Sequence, residues 1–306
     1  MRLILLNLIL CVGFQLSVKA QEAYELPSSV KKIVFIGNSI TWSGEYINYI
    51  ETYFRIQKRD LEIINLGLPS ETVSGLSEEN HAEGRFPRPD LHERLARVLE
   101  ETKPDLVIAS YGMNDGIYLP FDEERFAKFK EGILWLHEEV VKAGIDIIHA
   151  TPPIYDPKKG EAYANVLDIY SDWLISFRYT SDWDVIDVHW PMKKYLEDQR
   201  LAYPSFVLAK DGVHPNATGH WLMAKEILLF LGEGEVAQAS SLQEAVESFA
   251  KLDELLTLVS KRQKIVRNTY LSITGHKRPG LPEGLPLLDA QAEMEFLDKG
   301  IDILLR

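Results

Sequence analysis

Short, mainly apolar runs alternate along this chain with longer segments in which apolar positions return every three or four residues. The runs Ile33-Val34-Phe35-Ile36, Leu61 to Leu66, Leu106 to Ser110, Ile145 to Ala150 and Val185 to Val188 read as strands buried on both faces. Between them, Gly44 to Lys58 carries Tyr46, Ile47, Ile50, Tyr53 and Phe54 at helical spacing. Leu91 to Glu101, Glu123 to Ala143 (closed by Gly144) and Glu161 to Arg178 also read as helices. Strand–helix alternation implies crossover connections and a parallel sheet covered on both sides. The strand-end loops then gather on one rim, and three of them carry glycine, at Gly37, Gly67 and Gly112. No internal repeat or low-complexity tract interrupts the pattern.

Two stretches depart from it. Leu68 to Asp90 is polar and longer than most connections in a compact domain, so it reads as a functional rim. It contains Glu71, Glu78, Glu79, His81, Arg85 and Arg88; the two arginines either meet an acidic substrate or belong to a solvated loop. After Leu208 to Leu231, the last part of the core, the rhythm changes again. Ser241 to Tyr270 reads as one long helix with an apolar side that packs on its own domain. Gly275 to Gly280 and a proline-rich connector lead to a short terminal helix. The division expected is 21–232 for a catalytic domain and 233–306 for a helical appendage.

Composition changes the picture mainly at the ends. At 306 residues, 46% hydrophobic and 26% charged, the chain is long enough for one large α/β domain with an appendage. Residues 1–20 stand apart: Arg2, the apolar run Leu3 to Val12, then Val18-Lys19-Ala20 form a secretory signal peptide pattern. That places the protein outside the cytoplasm, secreted or periplasmic. The single cysteine, Cys11, lies inside this segment, so the remainder has no disulfide to form. Without it Lys+Arg falls from 33 to 31 against 46 Asp+Glu, and the net charge goes from −13 to −15. So acidic a surface repels phosphate backbones, which argues against nucleic acid as a partner. Nothing after Ala20 approaches the ~18 continuous apolar residues of a membrane span.

The candidate chemistry sits at the strand ends. Lys31 to Thr41 runs from a buried strand through Gly37 into Ser39, a nucleophile's position at the start of a helix, although a helix-capping serine fits the same stretch. A serine nucleophile needs a base, a group to hold the base, and donors for the oxyanion. Asp211 and His214 are three residues apart on one turn, with Pro215 as a natural first residue of the next helix. Gly67 offers a backbone N–H, and Asn114 a side-chain amide. Trp42 is placed to stack on a sugar ring or to pack internally. Asn216-Ala217-Thr218 matches a glycosylation acceptor, but its place at a helix start suggests a cap. No histidine pair has metal spacing, and no G-x-G-x-x-G, P-loop or G-x-S-x-G elbow is present. Neither a metal nor a cofactor is implied.

Taken in order, Gly37-Asn38-Ser39, Gly67, Gly112-Met113-Asn114-Asp115 and Asp211-Gly212-Val213-His214 strongly resemble the four blocks of the SGNH, or GDSL-type, hydrolases. The resemblance covers Lys31 to about His220. It implies a flavodoxin-like three-layer α/β/α sandwich with about five parallel strands. It also implies Ser39 as nucleophile, His214 as base, Asp211 as its partner, and Ser39, Gly67 and Asn114 as oxyanion donors. Where the family commonly has aspartate this chain has Asn38, which keeps the size and hydrogen bonding but not the charge. Asn38, Trp42, Asp115, Arg85 and Arg88 are the candidate substrate contacts. The expected activity is hydrolysis of short acyl esters, chiefly acetyl, on a small molecule or polysaccharide. A lysophospholipase or thioesterase, and a carbohydrate-binding protein without catalysis, are the alternatives.

Overall fold

The computed structural model describes residues 24–306, so the signal peptide expected over 1–20 lies outside the described residues. Strands β1 (Lys32–Gly37), β2 (Glu62–Gly67), β3 (Leu106–Ser110), β4 (Asp146–Ala150) and β5 (Val185–Ile186) form one sheet in the order β2-β1-β3-β4-β5. Every pairing is parallel, with Gly37 opposite both Gly67 and Ser110. β1 runs Ile33, Val34, Phe35 and Ile36 with no exposure at all, as a strand covered on both faces must. The first connection runs outward to β2 and the next crosses back over β1 to β3. The strand order therefore reverses at β1, and a crevice opens beyond its carboxyl end. The expected α/β/α architecture is the one present.

Helices make the connections between the parallel strands. α1 (Ser39–Ser43) and α2 (Glu45–Ile56) follow β1; α3 (Leu95–Thr102) lies in the crossing from β2 to β3, α4 (Glu123–Lys142) follows β3 and α5 (Glu161–Thr180) follows β4. α6 (His189–Ala202) and α7 (Ala217–Phe230) come after β5, and α7 packs against α2. α6 escapes the apolar pattern because only Met192 and Leu196 give it a buried stripe behind His189. The helix expected over Leu91 to Glu101 begins as a single 3-10 turn, Leu91–Glu93. It breaks at Arg94, whose side chain turns fully inward to Glu71.

The remaining helices are α8 (Leu242–Ala245), α9 (Leu252–Thr274) and α10 (Leu287–Leu304). The single run expected from Ser241 is thus two helices, with a turn between them that lets Val246 and Phe249 pack inward. α9 lies along the β2 edge, touching α2, α3 and β2 itself. An open parallel edge is a liability for aggregation, and α9 covers it. Gln263 Nε2 donates to the Ile63 carbonyl of that edge at 2.8 Å. Leu252, Leu255, Val259, Val266 and Leu271 are buried beneath the helix, at about 1.5–3 kcal/mol for each fully buried side chain. Val236, Leu242, Val246, Leu252, Val266 and Leu271 join the sheet's own core, while Leu255 and Val259 pack with Ile301 of α10 in a separate cluster. No helix of the described residues is long and apolar enough to cross a membrane.

Candidate active site

Asn38 ends the β1 turn and caps α1, its side-chain oxygen accepting the Ile40 N–H at 3.0 Å. Ser39 is the first residue of the helix, so its own N–H has no intrahelical acceptor. Its Oγ lies 2.8 Å from His214 Nε2. On the far side of the ring, His214 Nδ1 lies 2.7 Å from Asp211 Oδ2. A ring nitrogen beside a carboxylate keeps its proton, which leaves Nε2 as the acceptor facing the serine. Residues 175 positions apart in the chain are thereby in proton-transfer contact.

The Asp211–His214 turn is built locally. Gly212 takes φ +92°, a region that L side chains avoid, and a Cβ there would fall 2.8 Å from Lys159. Asp211 Oδ1 accepts the N–H groups of Val213 and His214, both at 2.9 Å. Burial works to raise the Asp211 pKa, but the His214 ring and these two N–H groups outweigh it and hold the carboxyl at about 2. A carboxyl depressed in this way stabilises the fold above its unfolded value of 3.8 and loses that contribution as the pH falls towards 2. The stability difference between the native protein and Asp211→Asn should hence be flat above about pH 4. Titrated by denaturant midpoint at successive pH values, it should shrink progressively between about pH 4 and pH 2. Asn216 caps α7, accepting from Gly219 N–H at 3.0 Å, so the helix begins one residue beyond the cap and Pro215 stays outside it.

Of the three expected oxyanion donors, Ser39, Gly67 and Asn114, Gly67 has its hydrogen engaged elsewhere. The Gly67 N–H is already taken, donating to Asn65 Oδ1 at 2.9 Å in a buried turn. Gly67 is needed for another reason: a Cβ there would stand 2.3 Å from Trp42 N, in the backbone of α1. Gly67→Ala is expected to cost about 1–3 kcal/mol by overpacking, read as a lower urea midpoint, and to displace the helix that carries Ser39. The unspent N–H on this loop is that of Ser70. It sits at φ +69° in the turn Leu68 to Glu71, which Pro69 helps to shape. Neither Ser39 N–H nor Ser70 N–H donates to another group among the described residues. Asn114 gives one amide hydrogen to the Glu71 carbonyl (3.1 Å) and accepts from Tyr118 O–H (3.0 Å), leaving its second hydrogen unspent.

Four of the candidate substrate contacts are held in the framework. Asn38 is 3% exposed and committed to its cap. Asp115 is wholly buried, accepting from the N–H groups of Gly112, Val73 and Ser74 at 2.8–2.9 Å, and so ties the β3 turn to the long loop. Arg88 is buried in a two-pronged pair with Glu78, at 2.6 and 2.7 Å. Trp42 packs against the core with Arg267 of α9 over its ring at 4.3 Å. Arg85 alone among the five stands exposed, its Nε donating to the Ala82 carbonyl. Unforeseen beneath the site is the pair Glu71–Arg94, joined at 2.6 and 2.8 Å with both side chains at zero exposure. Tyr111 O–H also donates to Glu71, at 2.6 Å. Glu71 stood out in the sequence only as one acid in a polar loop.

The family model described as the GDSL-like lipase/acylhydrolase family matches residues 35–222, more than half of the chain. The chain belongs to that family. It is a hydrolase of the SGNH type, acting on esters. Solved structures share the fold of this SGNH hydrolase at low identity. Axe2, an acetylxylan esterase from Geobacillus stearothermophilus, is 21% identical with a TM-score of 0.53, over 68% of this chain and 96% of its own. LAE5, an alpha/beta hydrolase enzyme from the metagenome of Lake Arreo, Spain, is 24% identical with a TM-score of 0.53, over 66% and 95%. BT4096, a gut microbial diltiazem-metabolizing enzyme, is 20% identical with a TM-score of 0.54; the match covers 70% of this chain but only 49% of that one. A search of curated proteins gave no match.

Proposed function

We propose that the protein is an exported serine esterase that removes short acyl groups, chiefly acetyl, from carbohydrate by way of an acyl-enzyme. The observation that carries the reading is the chain of contacts Ser39 Oγ–His214 Nε2–His214 Nδ1–Asp211 Oδ2, at 2.8 and 2.7 Å. Ser39 attacks the ester carbonyl while His214 takes its proton, and Asp211 stabilises the imidazolium that forms. Negative charge then gathers on the carbonyl oxygen, where the N–H groups of Ser39 and Ser70 and the Asn114 amide are its donors; each such donor contributes ~3 kcal/mol in the transition state. His214 returns its proton to the departing sugar hydroxyl. Water, activated by the same ring, releases the acid and restores the serine.

Support for the acetyl and carbohydrate part is indirect. The triad lies open, with the His214 and Asp211 side chains each about half exposed (51% and 55%), as access by a polymer requires. The rim loop over 68–90 is polar, and a protein of the same fold, Axe2, is an acetylxylan esterase. Export rests on the pattern over 1–20. The test is release of acetate from a panel of acetylated polysaccharides, set beside turnover of esters of increasing chain length. Acetyl esters are expected to lead. A strong preference for chains of about eight carbons or more would instead make the enzyme a lysophospholipase or thioesterase.

A further inference from the structure

A cavity of about 530 Å³ opens between the long loop after β2 and the segment that follows α9. His81, Arg85 and Phe86 line it from the loop, Arg278 from the appendage, and Ser70 from the turn with the unspent N–H. It is therefore on the rim of the sheet that carries Ser39, since Ser70 lies three residues beyond Gly67, the partner of Gly37. The wall is also fastened to the candidate oxyanion donors. Arg278 Nε donates to the Pro69 carbonyl at 3.0 Å. Arg88 lies over the Tyr118 ring at 5.3 Å, and Tyr118 O–H donates to Asn114.

The lining holds two guanidinium groups and no carboxylate. Arg278 is partly buried and forms no ion pair among the described residues; burial depresses its pKa, the mark of a cation without a counter-ion. Two of its nitrogens are spent on the carbonyls of Pro69 and Pro279, leaving the other terminal nitrogen unspent. Arg85 spends its Nε on the Ala82 carbonyl and has Glu83 as its one acidic neighbour among the described residues, at 3.8 Å, with both side chains largely exposed. The loop presents it through a strained turn in which Ala82 and Glu83 take φ +51° and +61° ahead of Gly84. Backbone of that kind persists where something else depends on it. Phe86 gives the cavity an aromatic wall, with Arg278 5.2 Å from its ring centre. His81 Nδ1 faces Glu78 at 3.3 Å, while its buried Nε2 has no partner.

We propose that this cavity holds the carboxylate-bearing ring of an acidic sugar next to the one that carries the ester, so that the substrate is an acetylated polysaccharide containing uronic acid. The inference rests on the esterase reading and narrows it. The guanidinium hydrogens left unspent on Arg85 and Arg278 suit the oxygens of a carboxylate, and an aromatic wall suits the face of a sugar ring. The volume is ample for one monosaccharide unit.

The test is calorimetric titration of the full-length Ser39→Ala protein with unesterified oligogalacturonate and with neutral xylo-oligosaccharide of equal length. The acidic ligand is expected to bind at least about tenfold more tightly, and its advantage to shrink in high salt. Adding Arg85→Ala, an exposed position whose loss leaves folding intact, should remove most of that advantage without weakening the neutral ligand. Equal affinities, or indifference to Arg85→Ala, overturn the proposal; so does tighter binding of a sulfated neutral oligosaccharide than of the uronate. Acetate release by the native protein separates the two readings. Uronate binding without deacetylation of any polymer would sink the esterase reading alone, and deacetylation without uronate preference would sink the cavity assignment alone.

Discussion

Ser39→Ala is expected to lower kcat on an acetyl ester by about 10⁴- to 10⁶-fold while leaving the fold intact. The hydroxyl stands 2.8 Å from His214 Nε2, and no second nucleophile occupies that place. Ser39 is partly exposed at the start of α1, and the cap that sets the helix belongs to Asn38, so the substitution removes chemistry and little else. Whatever activity remains would come from binding and the oxyanion donors, which outlast the nucleophile in enzymes of this design. Initial rates over a range of ester concentrations, with circular dichroism of the variant as the folding control, provide the measurement. Turnover within tenfold of the native protein would mean that the triad geometry has no catalytic use.

Arg94→Leu is expected to cost about 3–5 kcal/mol of stability, the usual penalty for stranding one member of a buried ion pair. Glu71 would keep its Tyr111 hydrogen bond but lose both contacts with the guanidinium, and the Leu66 carbonyl would lose its donor. A carboxylate left in an apolar site escapes by taking a proton. Burial already pushes the Glu71 pKa upward against the pull of Arg94, and removing the arginine pushes it further. With its folded pKa above its unfolded one, Glu71 then penalises the fold as the pH rises and relieves it as the pH falls. Urea unfolding should therefore show a deficit that shrinks in acid. The Glu71 carbonyl also holds the Asn114 amide, so kcat should fall at temperatures where the variant remains folded. The double change Glu71→Leu with Arg94→Leu should recover part of the stability, because no charge is then left without a partner.

What the sequence made legible was local or periodic. β1 and β3 stand out as near-continuous apolar runs, and β2 and β4 as apolar runs with one polar residue inside each, Asn65 and His149; the strand–helix alternation that follows from them implies a parallel sheet. The Asp211–His214 turn is readable because its three-residue spacing and Gly212 are themselves local geometry. What escaped was set by partners far along the chain. Gly67 marks a close approach of β2 to α1, yet a glycine needed for a close pass and one that frees an N–H look alike as letters. Ser70 gave no hint, since a serine at positive φ leaves no trace in the pattern. The apolar stripe of α9 announced that it packs, but not that it closes the β2 edge. Arg278 reaches the cavity beside Ser70 from 208 positions away, a meeting that only the folded chain brings about.

The most direct measurement is covalent labelling of the native protein with a fluorophosphonate, followed by mass spectrometry of the modified peptide. A single adduct on Ser39 is expected, forming quickly at neutral pH and far more slowly in His214→Gln, because the imidazole is what makes that hydroxyl reactive. Absence of an adduct on Ser39, or labelling at the same rate without the imidazole, would contradict a serine nucleophile at the end of β1.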